Sequence, residues 1–330
     1  MSALGHRALG AALGLLLDRA LGEPPDAWHP VAWFGTVMGR VEQLGYADSR
    51  AAGVRHAVVG AGLGAGTGVA LTAALRRADA PADLTATALA VCVAGAGRML
   101  RRTSADIEQL LLAADLEAAR LRLSWLAGRD PSELDASGVA AAVVESLAEN
   151  TVDAVVAPAF WGACAGAPGA LMHRAVNTMD AMVGHRSTRY ARFGTGSARL
   201  DDLLAWAPAR VFAGLVAALA APGHPGSLDR ATRILHTVRR DAPTHPSPNS
   251  GVAEAAAAAA LGLELGGPLR YGERTEDRPR LGDGPRPRAS DITRARRLVD
   301  RVELGLVTGC VALWWADRVL ERRHTRRSGR

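Results

Sequence analysis

Long apolar runs alternate with short, densely polar segments along this chain, and the apolar runs lack two-residue alternation. Ala57–Leu75 is uncharged and rich in glycine and alanine, and Ala154–Met172 is a second such run, interrupted by Pro158 and Pro168. A helix needs about 20 apolar residues to cross a bilayer. Both runs are therefore predicted to span, or in the second case to enter and return. Residues 203–221, which include Arg210, and 304–320 are weaker predicted spans; 84–97 and 4–17 are shorter candidates. With alanine abundant and β-branched alternation scarce, strands are not expected. The pattern predicts an all-α, polytopic helical membrane protein with polar helices and loops between the spans, folded as one domain over residues 1–330. Buried core helices of a soluble all-α protein are the rival for the shorter runs.

Punctuation divides the rest. The opening helix should stop at Gly22-Glu23-Pro24-Pro25, and a second should run from His29-Pro30 towards Tyr46. Residues 103–127 read as one amphipathic helix, ended by Gly128-Arg129-Asp130-Pro131. Residues 221–230 and 270–290 read as proline-rich loops, and Asp291 should cap the last long helix.

Composition sharpens this picture. Hydrophobic residues are 48% of the 330 and aromatics only 4%, with 36 glycines, the mixture that lets helices approach closely. All 39 basic residues are arginine, which removes any mechanism built on a lysine nucleophile or a P-loop lysine. The net charge of +6 is concentrated at the edges of apolar runs and in the Arg322–Arg327 tail, as membrane insertion and anionic lipid favour. That tail is expected on the cytoplasmic side of the cell membrane. No aromatic–basic interleaving or zinc-finger spacing supports a nucleic-acid partner. Cys92, Cys164 and Cys310 stand apart in apolar runs and read as small buried hydrophobes.

Three polar segments are candidates for chemistry. On one helix, Glu145, Glu149 and Asp153 at i, i+4, i+8 would share a stripe, and like charges so placed repel unless a cation joins them. Mg2+ suits such oxygen ligands. Solvated carboxylates neutralised by Arg174 or Arg186 are the plain alternative. Arg174, Asn177 and Asp180, spaced by three, thread through Ala, Val and Met beside a predicted span, where polar groups are costly. Arg186, Arg199, Asp201, Asp202 and Arg210 follow, a mixture suited to gripping phosphate through guanidinium and metal together. In the third segment, Gly251 and Glu254 form a weak capping-box pattern, and Asn249 and Ser250 add donors for an anion at that helix start. His29 reads as a structural hydrogen-bonder; His185 lies nearer the arginine and carboxylate cluster.

Taken in order, these segments resemble the CobD/CbiB family of cobalamin biosynthesis, the adenosylcobinamide-phosphate synthases. The markers are Asp18–Pro25 with His29-Pro30-Val31, and Val143–Pro158 with Glu145-Ser146 and Ala148-Glu149-Asn150-Thr151. Ala175–Asp180 with Met182-Val183-Gly184 comes next, then Tyr190, Phe193-Gly194, Ala198–Asp202 and Pro208-Ala209-Arg210. Ser247–Gly251 with Glu254, Leu265–Pro268 and Leu281–Gly284 complete the series. The chain departs from the family pattern at Ala154, Ala205, Val252-Ala253 and Arg270, where glycine, asparagine, an aromatic–proline pair and tyrosine are usual.

The resemblance implies a multi-pass cell-membrane ligase. Such proteins join the free propionate of adenosylcobyric acid, a corrinoid, to aminopropanol or its phosphate through an amide bond, with ATP and Mg2+ expected. Membrane lipid and other cobalamin-pathway enzymes are the implied partners. On this reading Glu145, Glu149, Asp153, Asp180 and Asp202 are metal candidates. Arg174, Arg186, Arg199 and Arg210 grip phosphate or corrinoid carboxylates; Asn150 and Asn177 orient corrin amides, and Asn249 and Ser250 contact substrate. Glu149 is also a catalytic candidate, and Asp201, Glu254 and His185 are alternatives for the base. A corrinoid-binding membrane transporter or scaffold without chemistry is the rival function.

Overall fold

The computed structural model describes residues 2–78, 81–128, 130–185, 187–220, 227–271 and 274–328. In chain order the helices are α1 (Ala3–Leu21), α2 (Pro30–Gly45), α3 (Arg50–Arg77), α4 (Ala82–Ala94), α5 (Gly97–Leu112), α6 (Leu116–Leu123) and α7 (Ala136–Thr151). A π-helical turn, Val152–Val156, leads into α8 (Ala157–Met179), and a second, Asp180–Gly184, follows it. Next come α9 (Thr195–Leu219), α10 (Ser227–Asp241), α11 (Ser250–Leu261), a hairpin of β1 (Leu265–Tyr271) and β2 (Arg274–Leu281), and α12 (Ala289–Ser328). Among the described residues, four helical stretches are long and apolar enough to cross a membrane: Arg50–Arg77, Ala82–Leu112, Ala136–Gly184 and Thr195–Leu219. This is a polytopic, helical membrane protein. Residues 4–17 and 304–320 are helical, in α1 and α12, but lie outside those four stretches.

The chain divides into two compact units, each assembled from separate segments, which is why no boundary is visible along the sequence. Unit 1 comprises residues 1–97, 153–205 and 306–330. Its helices pack through small residues. A Cβ on Gly64 would lie 2.7 Å from the Leu171 carbonyl oxygen, and one on Gly68 would lie 2.4 Å from the Pro168 nitrogen, so α3 meets α8 at backbone distance. The outer side of α3 leaves Val58, Leu63 and Val69 exposed, a face suited to lipid. Within α8, Pro168 lacks an N–H and disfavours helical geometry before it; the chain bends at Gly166, whose φ of 70° a side chain would resist. Trp161 Nε1 donates to the Leu204 carbonyl at 3.0 Å, an acceptor whose helical partner would be the N–H that Pro208 lacks.

Unit 2 comprises residues 98–152 and 206–305. Here α7 and α10 pack on α11, with the hairpin beside them. Several expectations change. The helix read over 103–127 is two, because Ala114 turns to φ 60° and Asp115 starts α6 by accepting from Ala118 N. The predicted 270–290 loop contains β2, paired antiparallel with β1. Pro268, Pro279 and the absence of apolar alternation hid that ribbon. Helix α11 ends at Gly262 in the left-handed region, ahead of Gly266-Gly267, which instead form an irregularity in β1. Asp291 does cap α12, from inside its first turn, by accepting from Arg288 N at 2.9 Å. Cys310 is buried, whereas Cys164 is exposed on α8.

Candidate functional site

The two π-helical turns set the polar side chains. An α-helix would carry Glu145, Glu149 and Asp153 on one stripe, but the wider turn at Val152–Val156 shifts the phase after Thr151. The stripe is thereby divided: Glu145 and Glu149 belong to unit 2, and Asp153 to unit 1.

Unit 1 gathers an all-oxygen acidic group beside one guanidinium. Asn177, near the end of α8, donates from Nδ2 to Asp201 Oδ1 on α9 at 3.4 Å. Asp180 opens the second π turn with its carboxylate folded over Gly184, where any Cβ would collide with it. Asp202 lies within electrostatic reach of Asp180, and Asp201 is within reach of Asp153, Asp180 and Asp202. Arg174 faces the charges of Glu23, Asp153 and Asp18, and its Nε is buried without a hydrogen-bond partner. The same residue ends an apolar groove of ≈ 370 Å³ lined by Pro30, Val31, Phe34 and Leu171 among others. Asp201 thus links Asn177, Asp153, Asp180 and Asp202, and Arg174 meets this group through Asp153, which the sequence had aligned with Glu145 and Glu149 instead. Asp18 and Glu23 join them; both lie in the opening motif, but only contact across the fold marks them as neighbours of Arg174.

Other candidates fall elsewhere. His185 is exposed and stacks edge-on against Tyr190, 5.0 Å between centroids, in a loop where Tyr190 and Arg189 both hydrogen-bond Glu42. Arg199 is exposed and lines a shallow hollow with Arg50. Arg186 lies outside the described residues. His29 caps α2, its Nδ1 accepting from Val31 N, while its Nε2 lies 3.8 Å from Glu23.

Unit 2 holds a second group. Glu145 is 2% exposed and its Oε1 accepts from Gly266 N at 2.7 Å, so it supports the hairpin. Asn150 donates back to the Ser146 carbonyl and hydroxyl of its own helix, both at 2.9 Å. One turn beyond Glu145, Glu149 meets Glu254 of α11 and His245, with one ligand atom of each within 4.8 Å of the others. Arg278 of β2 borders them, its Nη1 3.2 Å from His245 Nε2, 3.8 Å from Glu254 Oε1 and 4.0 Å from Glu149 Oε1. Burial, reinforced by the Glu149 and Glu145 charges, pushes the Glu254 carboxyl well above the usual carboxylate range. Burial holds His245 below an ordinary imidazole, with the Arg278 charge acting in the same direction. No spacing in the sequence pointed to His245, and Arg278 sat in a stretch read as loop.

The predicted anion site at the start of α11 is already satisfied. Helix α11 begins at Ser250, and the Ser247 hydroxyl accepts from the Asn249 and Ser250 amides at 3.3 and 3.2 Å. The Ser247 carbonyl takes the Gly251 amide, so Gly251 is not the cap. Asn249 Oδ1 instead accepts from Arg210 at 2.9 Å, and Arg210 lies over the Trp206 ring. That pairing separates Arg210 from the other arginines grouped with it above.

Comparison with known proteins assigns the family. The family model described as "CobD/Cbib protein" matches residues 11–299. The chain is 45% identical over 314 residues to a protein of Mycobacterium tuberculosis named "Cobalamin biosynthesis protein CobD", covering 94% of this chain and 97% of that one. Proteins of the same name from Rhodobacter capsulatus and Chromobacterium violaceum are each 41% identical. The alignments cover 91% and 90% of this chain, and 96% and 93% of theirs. No solved structure matches. With the match running over nearly the whole chain, this protein belongs to the CobD/CbiB family of cobalamin biosynthesis proteins.

Proposed function

We propose that the protein joins the free propionate of adenosylcobyric acid to aminopropanol or its phosphate as an amide, in an ATP-dependent reaction at the unit 1 group. The observation that carries this reading is that Asp153, Asp180 and Asp202 lie within electrostatic reach of Asp201, with Asp153 also facing Arg174. These donors are all hard oxygens and fit Mg2+. Asp180 and Asp202, within electrostatic reach of each other, would hold Mg2+ together with water and substrate phosphate, and the ion would offset the phosphate charge of ATP.

The remaining roles belong to the chain. A carboxylate is a poor electrophile, so its oxygen attacks the γ-phosphorus of ATP, releasing ADP and leaving an acyl phosphate. The amine nitrogen then bonds to the acyl carbon, phosphate departs, and the nitrogen loses a proton. Arg174 binds the anionic reactants, since a buried guanidinium suits carboxylate and phosphate alike. Asn177 fixes Asp201 through Oδ1, leaving Oδ2 to take the amine's proton. The apolar groove that Arg174 lines receives one edge of the corrinoid, whose bulk exceeds the ≈ 370 Å³ of the groove, with the propionate towards the guanidinium.

The bend of α8 at Gly166 and Pro168 favours one rival, a corrinoid transporter, because broken helices line substrate paths in transporters. Detergent-purified protein supplied with adenosylcobyric acid, aminopropanol phosphate, ATP and Mg2+ separates the two. Mass spectrometry should show the corrinoid gaining one amide-linked amine with matching ADP release. Asp180→Asn and Asp202→Asn should each lower the rate at least a hundredfold without changing the circular-dichroism melt. An unchanged corrinoid mass, or full activity in both variants, would overturn the assignment.

A further inference from the structure

We propose that Glu149, His245 and Glu254 of unit 2 form a binding site for a divalent first-row transition ion, Zn2+ or Mn2+. The site does not rest on the amide-forming reading, which concerns unit 1.

Three elements supply the ligands: α7 gives Glu149, α11 gives Glu254, and the turn between α10 and α11 gives His245. The side chains of His245 and Glu254 are each 1% exposed. Glu254 Oε1 is buried without a hydrogen-bond partner and faces the imidazole, its contact with Nε2 being 3.5 Å. A buried carboxylate oxygen in that position requires a cation or a proton. Arg278 is the only guanidinium in the described group, and it stands 3.8 and 4.0 Å from the two carboxylates. It forms ion pairs with both, one positive charge against two carboxylates. One imidazole nitrogen and two carboxylate oxygens lie within 4.8 Å of one another.

The histidine is also oriented as a ligand. Its Nδ1 lies 3.1 Å from the Ser247 carbonyl; a proton held there makes Nε2 an acceptor, which faces Arg278 Nη1 at 3.2 Å and whose lone pair the ion would take over. Metal-bound imidazoles are held in this way, donating their second N–H to a carbonyl. The Ser247 amide also lies 3.1 Å from Nδ1 and would replace that bond in the other tautomer. A Cβ on Gly251 would sit 2.5 Å from His245 Cβ, so the first turn of α11 closes against the ring and limits its movement. Ligand type sets the ion. Mg2+ prefers an all-oxygen shell, whereas imidazole with carboxylate selects Zn2+ or Mn2+.

The test uses tag-free, full-length protein in detergent, stripped by chelator and given metal alone. Zn2+ titration followed by elemental analysis should find one ion retained per chain, with a raised thermal midpoint. His245→Ala and Glu254→Gln should weaken binding at least tenfold. Glu149→Gln, at the more exposed ligand, gives a second reading should those buried variants misfold, and it should also weaken binding tenfold. Glu117→Gln, at an exposed carboxylate of α6 outside both groups, should bind Zn2+ as wild type does. Co2+ in place of Zn2+ reports nitrogen ligation by its visible spectrum, which should change in His245→Ala. Failure of the wild-type protein to retain Zn2+ or Mn2+ would overturn the site, leaving a proton shared between the two carboxylates. Undiminished binding and an unchanged Co2+ spectrum in a folded His245→Ala variant would overturn it equally.

Discussion

The two units solve the problem of close helix packing by opposite means. In unit 1, glycine and alanine let α3 and α8 touch along their backbones, and carboxylates gather around Asp201. In unit 2, long side chains cross between helices. Arg101 of α5 pairs with Glu303 of α12, and Arg296 of α12 pairs with Glu108 of α5 at 2.7 Å. Thr293 adds a hydrogen bond to the same Glu108 oxygen at 2.8 Å. The difference shows where each unit is vulnerable. Unit 1 depends on side chains being absent at chosen positions, and unit 2 on charged side chains being present in pairs.

The largest effect is therefore expected in unit 2. Glu303 is 1% exposed and Arg101 15%. Replacing Glu303 by Gln leaves a mostly buried guanidinium with only the longer 3.8 Å contact to Asp300, a change that costs up to about 3–5 kcal/mol in comparable buried pairs. Thermal unfolding in detergent should register it as a large fall in midpoint. The double variant Arg101→Met with Glu303→Leu should regain most of the loss, because the penalty lies in the orphaned charge. A single variant as stable as wild type would show that the pair is not what joins α5 to α12.

In unit 1 the corresponding test adds atoms. Gly68→Ala puts a Cβ 2.4 Å from the Pro168 nitrogen, which must push α3 away from α8. Overpacking of this sort costs about 1–3 kcal/mol. Gly66, two residues earlier on the same helix, has nothing within 4 Å of its missing Cβ. Gly66→Ala should be neutral or slightly stabilising, since alanine is the better helix former by about 1 kcal/mol. Equal midpoints for the two variants would show that the α3–α8 approach is looser than the backbone distances indicate.

How far the sequence carried these features follows the same division. Unit 1 was legible where composition decides: the uncharged run 57–75 lies within α3, and α1 ends at Gly22 as glycine and proline predict. Asn177 and Asp180, read as neighbours from their spacing of three, do reach α9, at Asp201 and Asp202 respectively. What escaped was non-local or unsignalled. No proline or glycine marks the π turn at Val152–Val156, so the carboxylate stripe looked continuous. His245 finds Glu149 nearly a hundred residues earlier, and no pattern within a short window records that. The hairpin lacked alternation because it is a short polar ribbon without a sheet to bury it.

The smallest predicted effect concerns a tie whose strength depends on pH. Asp241 ends α10 and accepts from Gly282 N, just beyond β2, at 2.8 Å, while Arg240 grips it and Asp283 together. Hydrogen bonds from Arg240 hold the Asp241 carboxyl below its ordinary range against the opposing effect of burial, with the Gly282 amide assisting. A depressed carboxyl contributes stability that is complete above its unfolded pKa, about 3.9, and is lost as pH falls through the folded value. Asp241→Asn should thus lower stability by about 1 kcal/mol at pH 7, the scale of a net hydrogen bond. The gap between variant and wild type should narrow as pH drops below about 4. Melts of both proteins at pH 7 and pH 3 would check it. A gap unchanged between those pH values would mean that the charge on Asp241 contributes nothing, and that the tie to Gly282 rests on geometry alone.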